Sequence, residues 1–183
     1  DPGFEAALAG GVTSMQILPG SGNLIGGRGV TIKNVSAVTY QAMKFPGAPW
    51  GLKMACGENP KRVYGGKGRS PMTRMGNVAG YRAAFIEAQS YMRTWDKYLA
   101  GQDKSGSDDG KRKKDGDGKA NGDPPTRDLA KETLMGALKG DIRVHIHCYR
   151  ADEMALMIDL AKEFGFKIAS FHHGVEAYKI ADL

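Results

Sequence analysis

"DIRVHIHCYRADEMALMIDLAKEFGFKIASFHH", residues 141–173, decides the fold class of this chain. The stretch opens with an alternating run that is typical of a strand and closes with a second such run, "FKIASFHH". Between them, "ADEMALMIDLAKEFG" carries apolar residues at helical spacing, and Gly165 is the expected end of the helix. Two strands joined through one helix by short connections form a βαβ unit, whose strands are parallel neighbours. The sequence therefore predicts an α/β fold.

All four histidines of the chain lie on the two strands of this unit. Side chains alternate between the two faces of a strand, which places Ile142, Val144 and Ile146 together on one face. His145 and His147 then share the opposite face. The apolar face suits packing against helices, so the face with the histidines is expected to contact solvent or charged groups.

The histidines suggest a metal site. His145 and His173 are expected at the C-terminal ends of their strands, the edge where α/β folds build their sites. Those ends are neighbours in a parallel pair, and neutral imidazole is a common zinc ligand, so the two rings can share one ion. His147 and His172 are expected to orient the ligands or to contact substrate. The alternative is that each histidine is only a hydrogen-bonded residue of the core.

The rest of the chain supplies further helices and strands. A helix is expected to end in "FEAALAGG" and another to run from Val78 to Leu99, where large apolar residues recur at helical spacing. Three strand candidates, rich in apolar and β-branched residues, are "VTSMQIL", "GVTIKN" and "WGLKMAC". A helix ending at Gly140 precedes the βαβ unit, and "GVEAYKIADL" is expected to begin a further helix after it.

Residues 101–126, "GQDKSGSDDGKRKKDGDGKANGDPPT", contain no large apolar residue. A segment of this composition buries too little surface to offset its ordering entropy, so we expect a disordered charged insertion. A basic interaction tail is the alternative. The insertion would separate two parts of one fold, residues 1–100 and residues 127–183.

Charge, hydropathy and cysteine content limit the function classes. The net charge of +6 suggests nucleic acid, but the basic run in the insertion is interleaved with acids and lacks aromatic residues that could stack on bases. No apolar run approaches the roughly 20 residues of a membrane span. Cys56 and Cys148 belong to no CxxC pair and predict no disulfide framework, which leaves the compartment open. The chain opens on Asp1 and has no leader, as expected of a segment cut from a longer protein.

The glycine-rich stretch "GSGNLIGGRG", residues 20–29, departs from both common nucleotide-binding motifs. Its glycines are spaced one residue too far apart for the dinucleotide fingerprint. Arg28 and Gly29 stand where a P-loop has Lys and Ser or Thr. We therefore expect a tight loop in which backbone passes closely, with substrate contact from Asn23 or Arg28 as the alternative.

Four stretches that span nearly the whole chain outside the insertion share one resemblance. They are "ALAGGVTSMQILPGSGNLIGGRG", "GLKMACGENPKRVYG", "RVHIHCYRADEM" and "SFHHGVEAYKIADL". In this order they resemble the amidohydrolase superfamily, specifically its imidazolonepropionase-like branch of metal-dependent hydrolases. The resemblance implies a (β/α)8 TIM-type barrel with parallel strands. This chain would be a partial barrel covering strands 2 to 6, with "VTSMQIL" as strand 2, "GLKMAC" as strand 4, "RVHIH" as strand 5 and "IASFHH" as strand 6.

The resemblance also implies roles for particular residues. His145 corresponds to the metal ligand of strand 5 and His173 to that of strand 6, while Lys53 occupies the place of the strand 4 lysine, which bridges two metals once carboxylated. One or two Zn²⁺ ions are therefore expected. The residues expected to contact substrate are Glu58, Asn59, Arg62, His147, Tyr149, Arg150 and His172.

The implied activity of the intact protein is metal-dependent hydrolysis of a non-peptide C–N bond, in a cyclic amide or an N-acyl group. Deacetylation of an N-acetyl sugar is the nearest alternative. The family's strand 1 H-x-H pair and its strand 8 aspartate, the general base, have no counterpart here, so a catalytically incompetent barrel fragment is an alternative of another class. The expected partners are a small-molecule substrate and either the remainder of the barrel or a second copy at exposed strand edges. Nucleic acid is not expected.

Overall fold

A computed structural model describes residues 1–105 and 123–183 of the chain. The strands are β1 (Ser14–Ile17), β2 (Ile25–Lys33), β3 (Trp50–Ala55), β4 (Ile142–Cys148) and β5 (Ile168–His173). The helices are α1 (Pro2–Ala9), α2 (Tyr40–Met43), α3 (Glu58–Gly65), α4 (Arg74–Ser105), α5 (Leu129–Lys139) and α6 (Ala151–Phe164), and a 3₁₀ turn covers Ala177–Ile180. Of the predicted insertion, residues 106–122 lie outside this description.

The five strands form one mixed sheet in the order β1-β2-β3-β4-β5. The pairs β3–β4 and β4–β5 are parallel, which confirms the predicted βαβ unit. The expectation of parallel strands throughout is wrong for the first part of the chain, because β2 is antiparallel to both β1 and β3. The connection from β1 to β2, residues 18–24, is too short for a parallel crossover, which needs a dozen or more residues.

The helices α5 and α6 end at the predicted glycines, but the sequence pattern did not predict two other elements correctly. Gly140 and Gly165 adopt left-handed φ angles of 86° and 81° after α5 and α6, as predicted. The pattern does not predict α3. Its Pro60 stands in the first turn, where the missing N–H is tolerated, so the proline does not prevent this helix. The segment expected to begin a helix after β5 forms only the 3₁₀ turn.

The hydrophobic core lies between the sheet and helices α4, α5 and α6. The apolar face of β4 points into it, as predicted, since Val144 and Ile146 are fully buried. Phe85 of α4 stacks on Phe166 at 4.6 Å between ring centroids, which packs α4 against the segment between α6 and β5. Within the described residues, none of the helices is both long and apolar enough to cross a membrane. Packing on one face of the sheet leaves the other face for polar side chains.

Cys56 and Cys148 form a disulfide, with Cα atoms 5.3 Å apart. The prediction that these two cysteines form no disulfide framework is therefore wrong. The two residues are 92 positions apart in sequence. They meet because β3 and β4 are parallel and in register: Ala55 pairs with His147, so the next residue of each chain segment is a cysteine. The bond therefore joins the C-terminal ends of these two strands.

Candidate metal-binding site

The face of the sheet opposite the core, here called the polar face, collects polar side chains from three neighbouring strands. Lys53 of β3 pairs with His145 of β4, and His145 pairs with Ser170 of β5. Two residues further along, His147 pairs with His172. Because side chains repeat every second residue, all five project from the same side of the sheet.

Lys53 is buried on this face, with 6% of its surface exposed. Its Nζ donates hydrogen bonds to the Pro19 carbonyl and to Ser21 Oγ, both at 3.2 Å. Neither of these two partners carries a negative charge that would stabilise the protonated, ammonium form of Lys53. Burial lowers the pKa of Lys53, which favours the neutral amine.

His145 lies in the middle of β4, not at its C-terminal end as the sequence analysis expected, because the strand continues to Cys148. Both of its ring nitrogens have side-chain partners: Nε2 stands 3.1 Å from Gln16 Nε2, and Nδ1 stands 2.8 Å from Ser170 Oγ. Burial, followed by the charges of His172 and Lys53, lowers the pKa of His145. The imidazole ring is therefore buried and favours its neutral form at pH 7, and its hydrogen bonds join β4 to β1 and to β5.

His147 lies one residue from the end of β4 and is 2% exposed, so it does not face solvent, one of the two surroundings predicted for this face. Its Nε2 stands 3.1 Å from Asn59 Nδ2. Its Nδ1 is buried and has no hydrogen-bond partner among the described residues. Burial, with smaller effects from His173, Lys53 and His172, lowers the pKa of His147 to about 4. The ring is therefore neutral at pH 7, and one of its nitrogens is unpaired within the described part of the chain.

His172 and His173 end β5 and both reach toward histidines of β4. The His172 ring lies 5.6 Å from that of His145, and the His173 ring lies 4.6 Å from that of His147. A regular strand would send consecutive side chains to opposite faces. His173 departs from this pattern with φ 71°, the one positive φ of a non-glycine residue in the described chain. Such backbone strain clusters at functional sites.

The structure therefore pairs His147 with His173 and His145 with His172. The predicted ligand set of Lys53, His145 and His173 is brought to one region of the sheet, but the ring contact of His173 is made with His147. Tyr149 joins that pair, with its ring 4.6 Å from His147 and 5.3 Å from His173. The assignment of His145 as a metal ligand stays a prediction.

The other residues predicted to contact substrate are divided between the site and the surface. Asn59 and Tyr149 contact His147 directly. Glu58 forms an ion pair with Lys61 at 3.0 Å, and Arg150 makes two hydrogen bonds of 2.9 Å to Asp152. Arg62 is exposed on α3.

Several residues that build the site give no recognisable signal in the sequence. Gln16 lies on β1, which is separated from β4 by two strands in the sheet, so neither the sequence nor the strand order places it beside His145. Asn77 and Tyr81 of α4 hold the turn after β3, through bonds of 2.9 Å to the Gly57 carbonyl and 2.5 Å to the Ala55 carbonyl. Ser170 carried a usable signal, since it precedes His172 by two residues on the same face of β5.

A second group of residues of metal-ligating type lies next to the turn that follows β3. It consists of Cys56, Cys148 and Glu153. Their ligand atoms lie within 4.8 Å of one another, closer than any other such trio of His, Cys, Asp or Glu in the described part of the chain. The two sulfurs are bonded to each other, so they are not available as thiolates. Glu153 is instead paired with Arg74 at 2.6 Å.

Comparisons with known proteins agree on one class. The chain matches no family model. Amidohydrolase tasK of Hapsidospora irregularis is 37% identical over 196 residues, which cover 100% of this chain and 18% of tasK. The crystal structure of an amidohydrolase from Thermotoga maritima MSB8 superposes with a TM-score of 0.78 and 39% identity, over 99% of this chain and 42% of that one.

The chain is therefore homologous to amidohydrolases over its whole length. It corresponds to a part of such proteins, since it spans less than half the length of either relative. Its curled, mixed sheet with helices on one face fits a partial barrel.

Proposed function

We propose that the intact protein is a metal-dependent amidohydrolase that cleaves a non-peptide C–N bond, in a cyclic amide or an N-acyl group. The chain described here would contribute part of the metal site. The homologues named amidohydrolases support the hydrolase class. The observation that supports metal binding is the buried Nδ1 of His147, which has no partner among the described residues and lies on a ring that contacts His173.

The side chains of the polar face fit a zinc ion by their chemistry. Zinc prefers neutral imidazole, and the lowered pKa of His147 keeps its ring neutral. His147 and His173 would hold the ion, in place of the predicted pair of His145 and His173, because both ring nitrogens of His145 already have side-chain partners. A bound zinc ion supplies a water of lowered pKa and polarises a carbonyl.

Lys53 would complete this part of the site after carboxylation. Its buried amine, with lowered pKa, is the form that adds to carbon dioxide, with release of a proton and formation of a carbamate. The carbamate offers oxygen ligands where the amine offers a single nitrogen. Ser21 Oγ and the Pro19 carbonyl hold the lysine nitrogen in place.

The remaining residues would orient the ligands or the substrate. His145, fixed by Gln16 and Ser170, packs its ring against His172 and restrains it. Tyr149 is 41% exposed and borders both His147 and His173, so its phenol can contact a substrate bound at the strand ends. Small-molecule amides are the substrate class that we expect.

Zinc content of purified variants tests this proposal. After loading with zinc and desalting, elemental mass spectrometry of the wild-type chain should find near-stoichiometric metal. His147→Ala and His173→Ala should lose it. His145→Gln, the matched variant on the same strand face, should keep it. Full zinc in His147→Ala together with loss in His145→Gln would reject the site described here and favour the ligand expected from the sequence.

A further inference from the structure

Asn59 is held against His147 by a turn with little freedom. It lies in the first turn of α3, two residues after Gly57, which adopts φ 73°. A side chain at Gly57 would meet the Glu153 carboxylate, with Oε2 at 2.6 Å, so the turn passes close to this side chain of α6. Asn77, 3% exposed, donates to the Gly57 carbonyl at 2.9 Å and fixes the turn from the other side. The amide of Asn59 is therefore presented to the imidazole in one place.

The contact between these two side chains can be made in two ways. The amide nitrogen of Asn59 stands 3.1 Å from His147 Nε2, and a half-turn of the amide puts Oδ1 at the same place. If the nitrogen faces the ring, Nε2 accepts and the proton of the neutral ring sits on Nδ1. If the oxygen faces the ring, Nε2 carries the proton and donates it, and Nδ1 keeps its lone pair.

The surroundings of Nδ1 distinguish the two arrangements. This atom is buried without a hydrogen-bond partner among the described residues, so a proton there would have no acceptor from them. A lone pair there can instead be satisfied by a cation shared with His173, whose ring lies 4.6 Å away. A metal-bound histidine usually donates its other ring N–H to an oxygen, which fixes its tautomer and orientation.

We propose that Asn59 is a positioning residue for the metal site: its Oδ1 accepts a hydrogen bond from Nε2–H of His147, which leaves Nδ1 as the metal-binding atom. This inference rests on the proposed function. It gives Asn59 a role through His147, where the sequence analysis expected a contact with substrate. It requires that the ring be in the Nε2–H tautomer before metal is added.

Nuclear magnetic resonance of the ring nitrogens is the first test, because it needs no substitution. Long-range proton–nitrogen spectra of the metal-free chain, assigned with His147→Gln, should show His147 as the Nε2–H tautomer. A Nδ1–H tautomer in the wild-type chain would overturn the inference.

Zinc affinity of two variants is the second test. Asn59→Leu has a similar size but no acceptor, and it should bind zinc about 10- to 100-fold more weakly in competition with a chelating dye. Asn59→Asp keeps an acceptor oxygen and should bind within a few fold of wild type. Lys61→Gln, on the same helix, is the matched control and should bind as wild type does.

These outcomes separate the inference from the proposed function. Wild-type tautomer and zinc affinity in Asn59→Leu would overturn the role of Asn59 while leaving the metal site intact. If the wild-type chain binds no zinc, the proposed metal site fails, and the inference fails with it unless Asn59→Leu changes the tautomer of His147. In that last case the positioning contact is supported and only the metal is wrong.

Discussion

His145 and His147 share one face of one strand, yet their ring nitrogens have different surroundings. Both ring nitrogens of His145 have side-chain partners, Gln16 and Ser170, whereas Nδ1 of His147 has none among the residues that the structure describes. Alternation along the strand predicted that the two rings share a face. It gave no means of choosing between them, because the choice depends on partners from β1, β5 and α3.

Burial of these histidines predicts a pH dependence of stability in the metal-free chain. The pKa of His147 is lowered to about 4 by burial, while the unfolded chain titrates near 6.5. Between those values the unfolded chain binds a proton that the folded chain excludes, so folding stability falls as the pH drops from 6.5 toward 4. His145 and His172 shift in the same direction. Urea midpoints measured at pH 7.5 and pH 5 should be lower at pH 5.

His147→Gln is the control for that experiment, since it removes one of the titrating rings without changing the strand. The drop in midpoint between pH 7.5 and pH 5 should become smaller in this variant. An unchanged drop would assign the pH dependence to groups other than His147.

The glycine-rich stretch, residues 20–29, is expected to tolerate a larger side chain at one end and not at the other. Gly29 lies in β2, and a Cβ there would lie 2.7 Å from the Ile17 carbonyl oxygen and would also clash with Leu18. Gly29→Ala should therefore destabilise the fold by about 1 to 3 kcal/mol, as overpacking does. Gly20 lies in the connection before β2, where a Cβ meets nothing within 4 Å, so Gly20→Ala should be close to neutral. Chemical unfolding of both variants gives the comparison, and equal stabilities would contradict the close approach of β1 to β2.

Among the elements, the βαβ unit was predictable and the first half of the sheet was not. The strands β4 and β5 and the helix α6 between them are predictable from the periodicity of their apolar residues and from Gly165, which ends the helix. The antiparallel direction of β2 depends on the paths of its two connections, residues 18–24 and residues 34–49, which carry no periodic signal. Helix α3 was not predicted because its local sequence, with Gly57 and Pro60, resembles a turn.

The disulfide between Cys56 and Cys148 links elements that the sequence separates by 92 residues. Closing a loop of that length in the unfolded chain is worth about 4 to 5 kcal/mol by the chain-entropy estimate. The double variant Cys56→Ser, Cys148→Ser should therefore unfold at a clearly lower urea concentration than the oxidised chain. Under non-reducing conditions, a thiol reagent should find no free thiol in the unfolded wild-type chain. Two free thiols would show that the pair is reduced.

The sheet as a whole has the curled form of a partial barrel. Strands β1 and β5 are the edges of the sheet that the described residues form. The Thermotoga amidohydrolase is matched over only 42% of its length, so the homologous protein is much larger than this chain. We expect the remainder of such a barrel, or a second copy, to cover these edges. Sequence patterns identified the class, because its motifs are spread along the chain in a fixed order.

We propose that the C-terminal ends of β4 and β5 hold a metal through imidazole nitrogens. The measurement to make is X-ray absorption spectroscopy at the zinc edge on the zinc-loaded wild-type chain. We expect nitrogen and oxygen ligands with the scattering signature of imidazole rings, and we expect that signature to be lost in His147→Ala and His173→Ala. Sulfur ligands would place the metal at Cys56 and Cys148 instead. That result, or an imidazole signature that survives both substitutions, would show that these histidines do not hold the metal.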